Sequence, residues 1–254
     1  MKLATIATVL ALGIARLTIA ASLGERASSV EGFDVSNYQP NVDFSAAYKA
    51  GARFVIIKVE PPDFPFLSTS ANINEQQATE GTSFIDAYFS SHYIGATNAK
   101  LIRGGYHFAR PDVSSGSSQA TFFLAHGGGW TPDGRTLPGM IDLESENGIP
   151  KCYGKNPANM VAWIQDFVNT YHSKTGRYPM IYTNRDWWTT CTGDSDAFSS
   201  TCPLVLASWN SVPGPIPGGW PYQTIWQYND HSPWGGDSDS FNGDLTRLTK
   251  LATG

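Results

Sequence analysis

The residues best placed to do chemistry are carboxylates, and the most informative pair sits in Gly139-Met-Ile-Asp142-Leu-Glu144. An extended strand turns alternate side chains to the same face, so Asp142 and Glu144 point one way while Ile141 and Leu143 point the other. Two carboxyl groups aimed into one cleft raise each other's proton affinity, and at least one keeps its proton at mildly acidic pH. Glycosidic cleavage requires that combination, with an acid to protonate the leaving oxygen and a carboxylate to steady an oxocarbenium-like carbon. Taken alone, an Asp-x-Glu on a strand is as often a Ca²⁺ ligand set or a solvated pair. Asp34, in Gly32-Phe-Asp34-Val-Ser, is a further candidate, although by itself it reads more simply as a cap or turn residue. Asp237 and Asp239, in Gly236-Asp-Ser-Asp239-Ser-Phe-Asn242-Gly, form a last acidic cluster whose plain reading is a polar turn.

These groups need a scaffold that brings distant segments to one place. Short apolar runs alternate with helical patterns along the chain. Strands are expected at Gly32–Val35, Arg53–Val59, Leu101–Phe108, Leu137–Leu143, Pro179–Thr183, Leu204–Trp209 and Thr224–Tyr228. Helices are expected at Phe44–Ala50, Ser83–Asn98, Ser117–His126, Ala158–Lys174 and Leu245–Leu251. Strand and helix taking turns imply a parallel sheet with crossover helices, and at this length an α/β single-domain, TIM-barrel-like (β/α) barrel. Polar or aromatic residues close nearly every strand: Asp34, Tyr106 with His107, Asp142 with Glu144, Tyr182, Trp209 and Gln227. In such barrels the strand C-termini form the catalytic face, so the pattern predicts one site assembled from many loops.

Composition bounds the function class. The 254 residues are 15% charged and 13% aromatic, with eight Trp, a balance suited to stacking on the apolar faces of sugar rings. Met1-Lys2, the apolar run Leu3–Ala15 and the small residues Ala20, Ala21 and Ser22 have the order of a secretory signal. Residues 1–21 are read as that signal, 22–30 as a leader and 31–254 as the catalytic domain. Loss of Lys2 and Arg16 with the signal takes the net charge from −5 to −7. An acidic surface argues against nucleic acid as a partner. No later stretch is apolar enough to span a bilayer. Secretion permits a disulfide; Cys152–Cys191 is the preferred pairing, with Cys191–Cys202 the alternative and one thiol left over. Neither a metal nor another cofactor is expected, because no metal-ligand spacing accompanies the cysteines.

Taken together, the motifs strongly resemble glycoside hydrolase family 25, the Chalaropsis-type lysozymes, and their fungal branch in particular. The resemblance rests on GFDVSNYQP (32–40), ATEGTSF (78–84), GGYHFARP (104–111), MIDLE (140–144), GRYPMIYTN (176–184), ASWN (207–210), TIWQY (224–228) and DSDSFNGDL (237–245). It implies a lysozyme that cuts the β-1,4 bond between N-acetylmuramic acid and N-acetylglucosamine in bacterial peptidoglycan; the signal pattern makes it secreted, and a monomer is expected. It implies Glu144 as general acid and Asp142 near the substrate's N-acetyl group, with Asp34 and Asp237 completing the catalytic carboxylates. Tyr106, Tyr182, Trp209, Gln227, Glu80 and Asp239 match groove positions, Asp239 standing where the family commonly has Asn. Cys152 and Cys191 match the family's cysteines, and Cys202 has no counterpart. The chitinase strand motif Asp-x-x-Asp-x-Asp-x-Glu is absent, and no His and Asp spacing suits a metal-dependent deacetylase. A barrel that binds glycan without cutting it is the rival reading.

One departure bears on that rival. The family runs from its second strand directly into Ala-Thr-Glu-Gly, whereas here Lys58 is followed by the 19 residues 59–77 before Ala78-Thr-Glu80-Gly resumes. The block opens on Val, whose codons begin GT, and closes on Gln, which CAG encodes. It reads as the translation of a retained intron, with a true loop insertion, which surface loops tolerate, as the alternative.

Overall fold

The structure is a computed structural model and describes residues 29–58, 81–82 and 88–254. The expected signal segment, the 59–77 block and Glu80 lie outside the described residues.

Eight strands close into a barrel in sequence order. They are β1 (Ser29–Val35), β2 (Phe54–Lys58), β3 (Ile102–Phe108), β4 (Met140–Leu143), β5 (Met180–Asn184), β6 (Leu204–Ala207), β7 (Ile225–Asn229) and β8 (Asp237–Asn242). The first seven run parallel, as the alternating pattern implies. The eighth departs from it. β8 lies antiparallel to both β7 and β1, with Asp34 opposite Asp237 and Gly32 opposite Asp239. Its sequence DSDSFN has little intrinsic strand preference and reads locally as a turn, but ladder bonds on both edges override propensity. Ser29 and Val30 belong to β1, and Val30 is buried in the barrel. The folded domain therefore already includes the last two residues of the segment read as a leader.

The helices are α1 (Phe44–Ala50), α2 (Phe89–Asn98), α3 (Gly116–Ala125), α4 (Pro157–Thr175), α5 (Arg185–Thr192) and α6 (Leu245–Thr253). α4 shows how sequence sets local structure. Asn156 caps it by accepting from the Asn159 N–H, Pro157 opens the first turn, and Gly176 ends it in a left-handed conformation with φ 72°. Met160, Trp163, Ile164, Phe167, Val168 and Tyr171 form its buried stripe at helical spacing. Each such side chain contributes about 1.5–3 kcal/mol on burial. α3 crosses α4 at Gly116, where a Cβ would meet the Trp163 carbonyl oxygen at 2.3 Å. α5 is absent from the sequence expectations, because eight residues rich in Thr and Trp carry no long helical period; its Asn184 cap and the buried Trp187 and Trp188 hold it.

The two apolar cores follow the strand alternation. One, with Phe33, Val55, Ile57, Ile141 and Ile181, lies between barrel and helices. The other fills the barrel with Phe54, Ile56, Ile102, Met140, Met180, Val205, Ile225 and Phe241, and α6 closes its lower end with Leu248 and Ala252. The polar residues that continue the inward-facing rows therefore emerge at the upper end.

Candidate active site

Inward rows end in Asp34 on β1, Lys58 on β2, Tyr106 on β3, Asp142 on β4, Tyr182 on β5, Gln227 on β7 and Asp237 on β8, with Glu144 and Trp209 just beyond β4 and β6. Backbone register sets them side by side: Lys58 beside Tyr106, Asp142 beside Tyr182, Asp34 opposite Asp237. His107, adjacent to Tyr106, points the other way. It is fully buried, 2.8 Å from Gln119 Oε1 and stacked on Phe167, so it belongs to the helix layer.

Glu144 and Trp209 border a cleft of about 370 Å³ together with Tyr182, Asn184, Ala207, Ser208 and Asn210. Trp209 is 58% exposed, a flat apolar face of the kind that packs on a pyranose ring. Burial pushes the Glu144 carboxyl up from 4.5 to about 7, with the Lys58 charge opposing and Glu146 adding to the rise. Asp142 is only 5% exposed and its Oδ1 has no hydrogen-bond partner among the described residues. Burial first and the Glu144 charge second hold its carboxyl well above the usual range, again opposed by Lys58. Burial without compensating charge favours the protonated form of such a carboxyl.

Asp34 and Asp237 form a second pair. Gln227 Nε2 donates to Asp34 Oδ2 at 2.8 Å and to Asp237 Oδ2 at 3.2 Å. Burial, then the Asp237 charge, raises Asp34 to about 7, and the Gln227 hydrogen bond works against them. Burial and Asp230 raise Asp237, with His231 opposing. The turn before β8 is tight: a Cβ on Gly236, at φ 66°, would fall 1.8 Å from the Asp34 carbonyl oxygen, so only glycine brings Asp237 this close.

Asp239 corrects the expectation of a groove residue. It shares the inward face of β8 with Asp237 but lies one layer lower, 1% exposed, with neither carboxyl oxygen partnered among the described residues. Burial, then Asp34 and Asp237, holds its carboxyl well above the ordinary range. An acid so enclosed has no surface left for a sugar. Gln227, 3% exposed, is likewise shielded and acts on its neighbours.

Lys58 is the functional candidate missing from the sequence reading. It ends β2 on the inward face and its Nζ lies 5.1 Å from the Phe108 ring centroid. The signal was present, because Lys58 is a polar strand end like the others. Tyr153 was missed as well: its hydroxyl donates to the Glu144 carbonyl oxygen at 2.9 Å. The neighbouring Cys152 is bonded to Cys191, with Cα atoms 5.2 Å apart, and Cys202 is a buried free thiol. That bridge ties the loop after Glu144 to α5. Among the described residues no cluster of His, Cys, Asp and Glu is arranged to hold a metal ion.

Comparison with known proteins places this geometry. A sequence model described as glycosyl hydrolases family 25 matches residues 70–237. The chain is 54% identical over 254 residues to an N,O-diacetylmuramidase of Arthroderma benhamiae, covering all of both chains. It is 55% identical over 230 residues to an N,O-diacetylmuramidase of Chalaropsis sp., covering 89% of this chain and 100% of that one. Among solved structures, a family GH25 lysozyme from Aspergillus fumigatus superposes with a TM-score of 0.81 at 54% identity, covering 89% of this chain and 100% of the other.

Proposed function

The chain belongs to glycosyl hydrolases family 25, and from that premise we propose that it hydrolyses the β-1,4 bond between N-acetylmuramic acid and N-acetylglucosamine in bacterial peptidoglycan, with Glu144 as general acid. The observation that carries the assignment is Glu144 itself: a carboxyl on the cleft wall that holds its proton to about pH 7. A general acid works best when its affinity lies near the working pH.

Glu144 gives its proton to the glycosidic oxygen as the C1–O bond breaks, and the leaving sugar departs as an alcohol. Asp142, two residues earlier on the same face, orients the N-acetyl group beside the anomeric carbon. The Asp34–Asp237 pair supplies negative charge facing the oxocarbenium-like carbon. Water then adds hydroxide to C1 and its proton restores the acid, so the net reaction is hydrolysis. Trp209 serves as the platform under a sugar ring and Tyr106 lines the groove, with Glu80 as a further groove residue. The similar muramidases from Arthroderma and Chalaropsis are named for N,O-diacetylmuramic acid, and we extend tolerance of O-acetylated strands to this chain.

The substrate lies outside cells, and we propose that the chain is secreted as a monomer with 1–21 as its signal. Residues 59–77 we read as the product of a retained intron. In support, the block falls cleanly between Lys58 and Ala78-Thr-Glu80-Gly, opening on Val and closing on Gln.

The test is mass analysis of soluble fragments after incubation of the secreted, full-length protein with purified peptidoglycan, plain and O-acetylated. Fragments with muramic acid at the reducing end establish the activity. A folded protein that releases none overturns it, unless deletion of 59–77 restores release, which would assign the loss to the insertion. A transcript without those codons supports the intron, and one that always carries them defeats it.

A further inference from the structure

The Gln227 side chain makes four hydrogen bonds among the described residues, and together they fix its role. Its Oε1 accepts from the Tyr182 hydroxyl at 2.9 Å and from Trp209 Nε1 at 3.1 Å. An indole N–H can only donate, so the atom facing Trp209 is the amide oxygen and the NH₂ necessarily faces the acids. That NH₂ reaches Oδ2 of Asp34 and Oδ2 of Asp237 at 2.8 and 3.2 Å. Asp34 and Asp237 oppose each other across two antiparallel strands, and their charges repel. One amide bridging both fixes their spacing and favours the charged form of Asp34.

We infer that Gln227 is a positioning residue: it holds Asp34 and Asp237 as one unit and ties that unit to the Trp209 indole on which substrate rests. The inference deepens the proposed hydrolase reading and depends on it only for its kinetic readouts. Gln227 is almost wholly enclosed, so its effect passes through the residues it holds. The exposed Trp209 ring is anchored at its Nε1, and the anchor is the same amide that sets the carboxylates. A sugar that shifts the indole therefore pulls on the acids facing the reacting carbon.

Among the described residues, the charged and titratable groups around this amide are Asp34 on β1, Tyr182 on β5, and Asp237 and Asp239 on β8. Lys58 on β2 and Glu144 beyond β4 act on Asp34 from across the mouth. Two variants separate their contributions. Gln227→Leu removes every hydrogen bond. Gln227→Glu keeps an acceptor for Tyr182 and Trp209 but replaces the NH₂ with a carboxyl oxygen.

The experiment measures kcat, KM and the pH–rate profile on soluble glycan fragments for both variants, for Trp209→Phe, and for the Gln227→Leu/Trp209→Phe double variant. It also follows the Asp34 carboxyl by ¹³C NMR titration, with folding checked by circular dichroism. Gln227→Leu is expected to lose about 10²-fold in kcat through misplaced carboxylates and to raise KM roughly five-fold through the freed indole. Gln227→Glu is expected to lose kcat with KM nearly kept, and both variants to titrate Asp34 at higher pH. Trp209→Phe raises KM alone and adds less in the Gln227→Leu background than in the parent, because the Nε1 bond it removes is already gone and only the lost stacking area remains. If Gln227→Leu does not fold, the Gln227→Glu split and titration decide. Equal losses in both variants with an unmoved pH profile and Asp34 titration, or additive KM effects, overturn the inference. Should the parent cleave nothing, the hydrolase reading fails, while the Asp34 titration still tests the Gln227 assignment.

Discussion

Replacing Glu144 with Gln should abolish hydrolysis and, at alkaline pH, make the protein more stable. The amide keeps the shape of the side chain but carries no transferable proton. In the folded protein Glu144 titrates at about 7 against a reference of 4.5. A carboxyl raised in this way costs nothing below the unfolded value, where both states are protonated. Above it the unfolded chain ionises while the folded one resists, and stability falls until the folded value is reached. The gap of 2.5 units corresponds to about 3 kcal/mol at 1.36 kcal/mol per unit. Gln carries no such penalty. Glu144→Gln should therefore match the parent at pH 4 and exceed it at pH 8 by about 3 kcal/mol, or roughly 6–12 °C in Tm for a domain of this size. The assay is urea denaturation of both proteins at pH 4, 6 and 8, alongside release of reducing ends from peptidoglycan. A stability gap that does not grow with pH, or a variant less stable at pH 8, would refute the reasoning. Substantial residual turnover would remove Glu144 as the acid.

Lys58→Met should move the alkaline limb of the pH–rate profile upward, because the charge that opposes the rise of Glu144 and Asp142 is gone, whereas Lys58→Arg should keep the profile. Asp239→Asn should leave turnover intact and stabilise the fold increasingly as pH rises above 3.8, by about 1.4 kcal/mol per unit across the raised range; thermal melts at pH 4 and 7 check this, and a pH-independent difference would defeat it. Cys152→Ser/Cys191→Ser, which opens a loop with a sequence separation of 39, should cost about 4 kcal/mol in denaturant titration. It should also lower kcat more than it raises KM, because Tyr153 next to the bridge holds the Glu144 backbone.

The sequence by itself determined the parts of this protein that repeat locally. Alternation of apolar strands with helical stripes specified a β/α barrel, because side-chain period is a local property that burial then enforces. Asp142 and Glu144 on one face follow from strand pleating alone, and the polar strand ends announced which end of the barrel holds the site. Lys58 is legible by the same rule, as a polar strand end on the inward face of β2. The tertiary structure decided what depends on pairing between distant segments. DSDSFN becomes a strand only because β1 and β7 offer it two open edges, and that pairing sets Asp237 opposite Asp34. Depth within the barrel separated Asp239, enclosed beneath the mouth, from Asp237 two residues away, a distinction that charge and spacing along one strand do not contain. The convergence of Tyr182, Trp209, Asp34 and Asp237 on Gln227 joins four strands or their ends through one side chain. No local pattern encodes such a junction, because hydrogen-bond partners are fixed by closure of the sheet and not by neighbours in the chain.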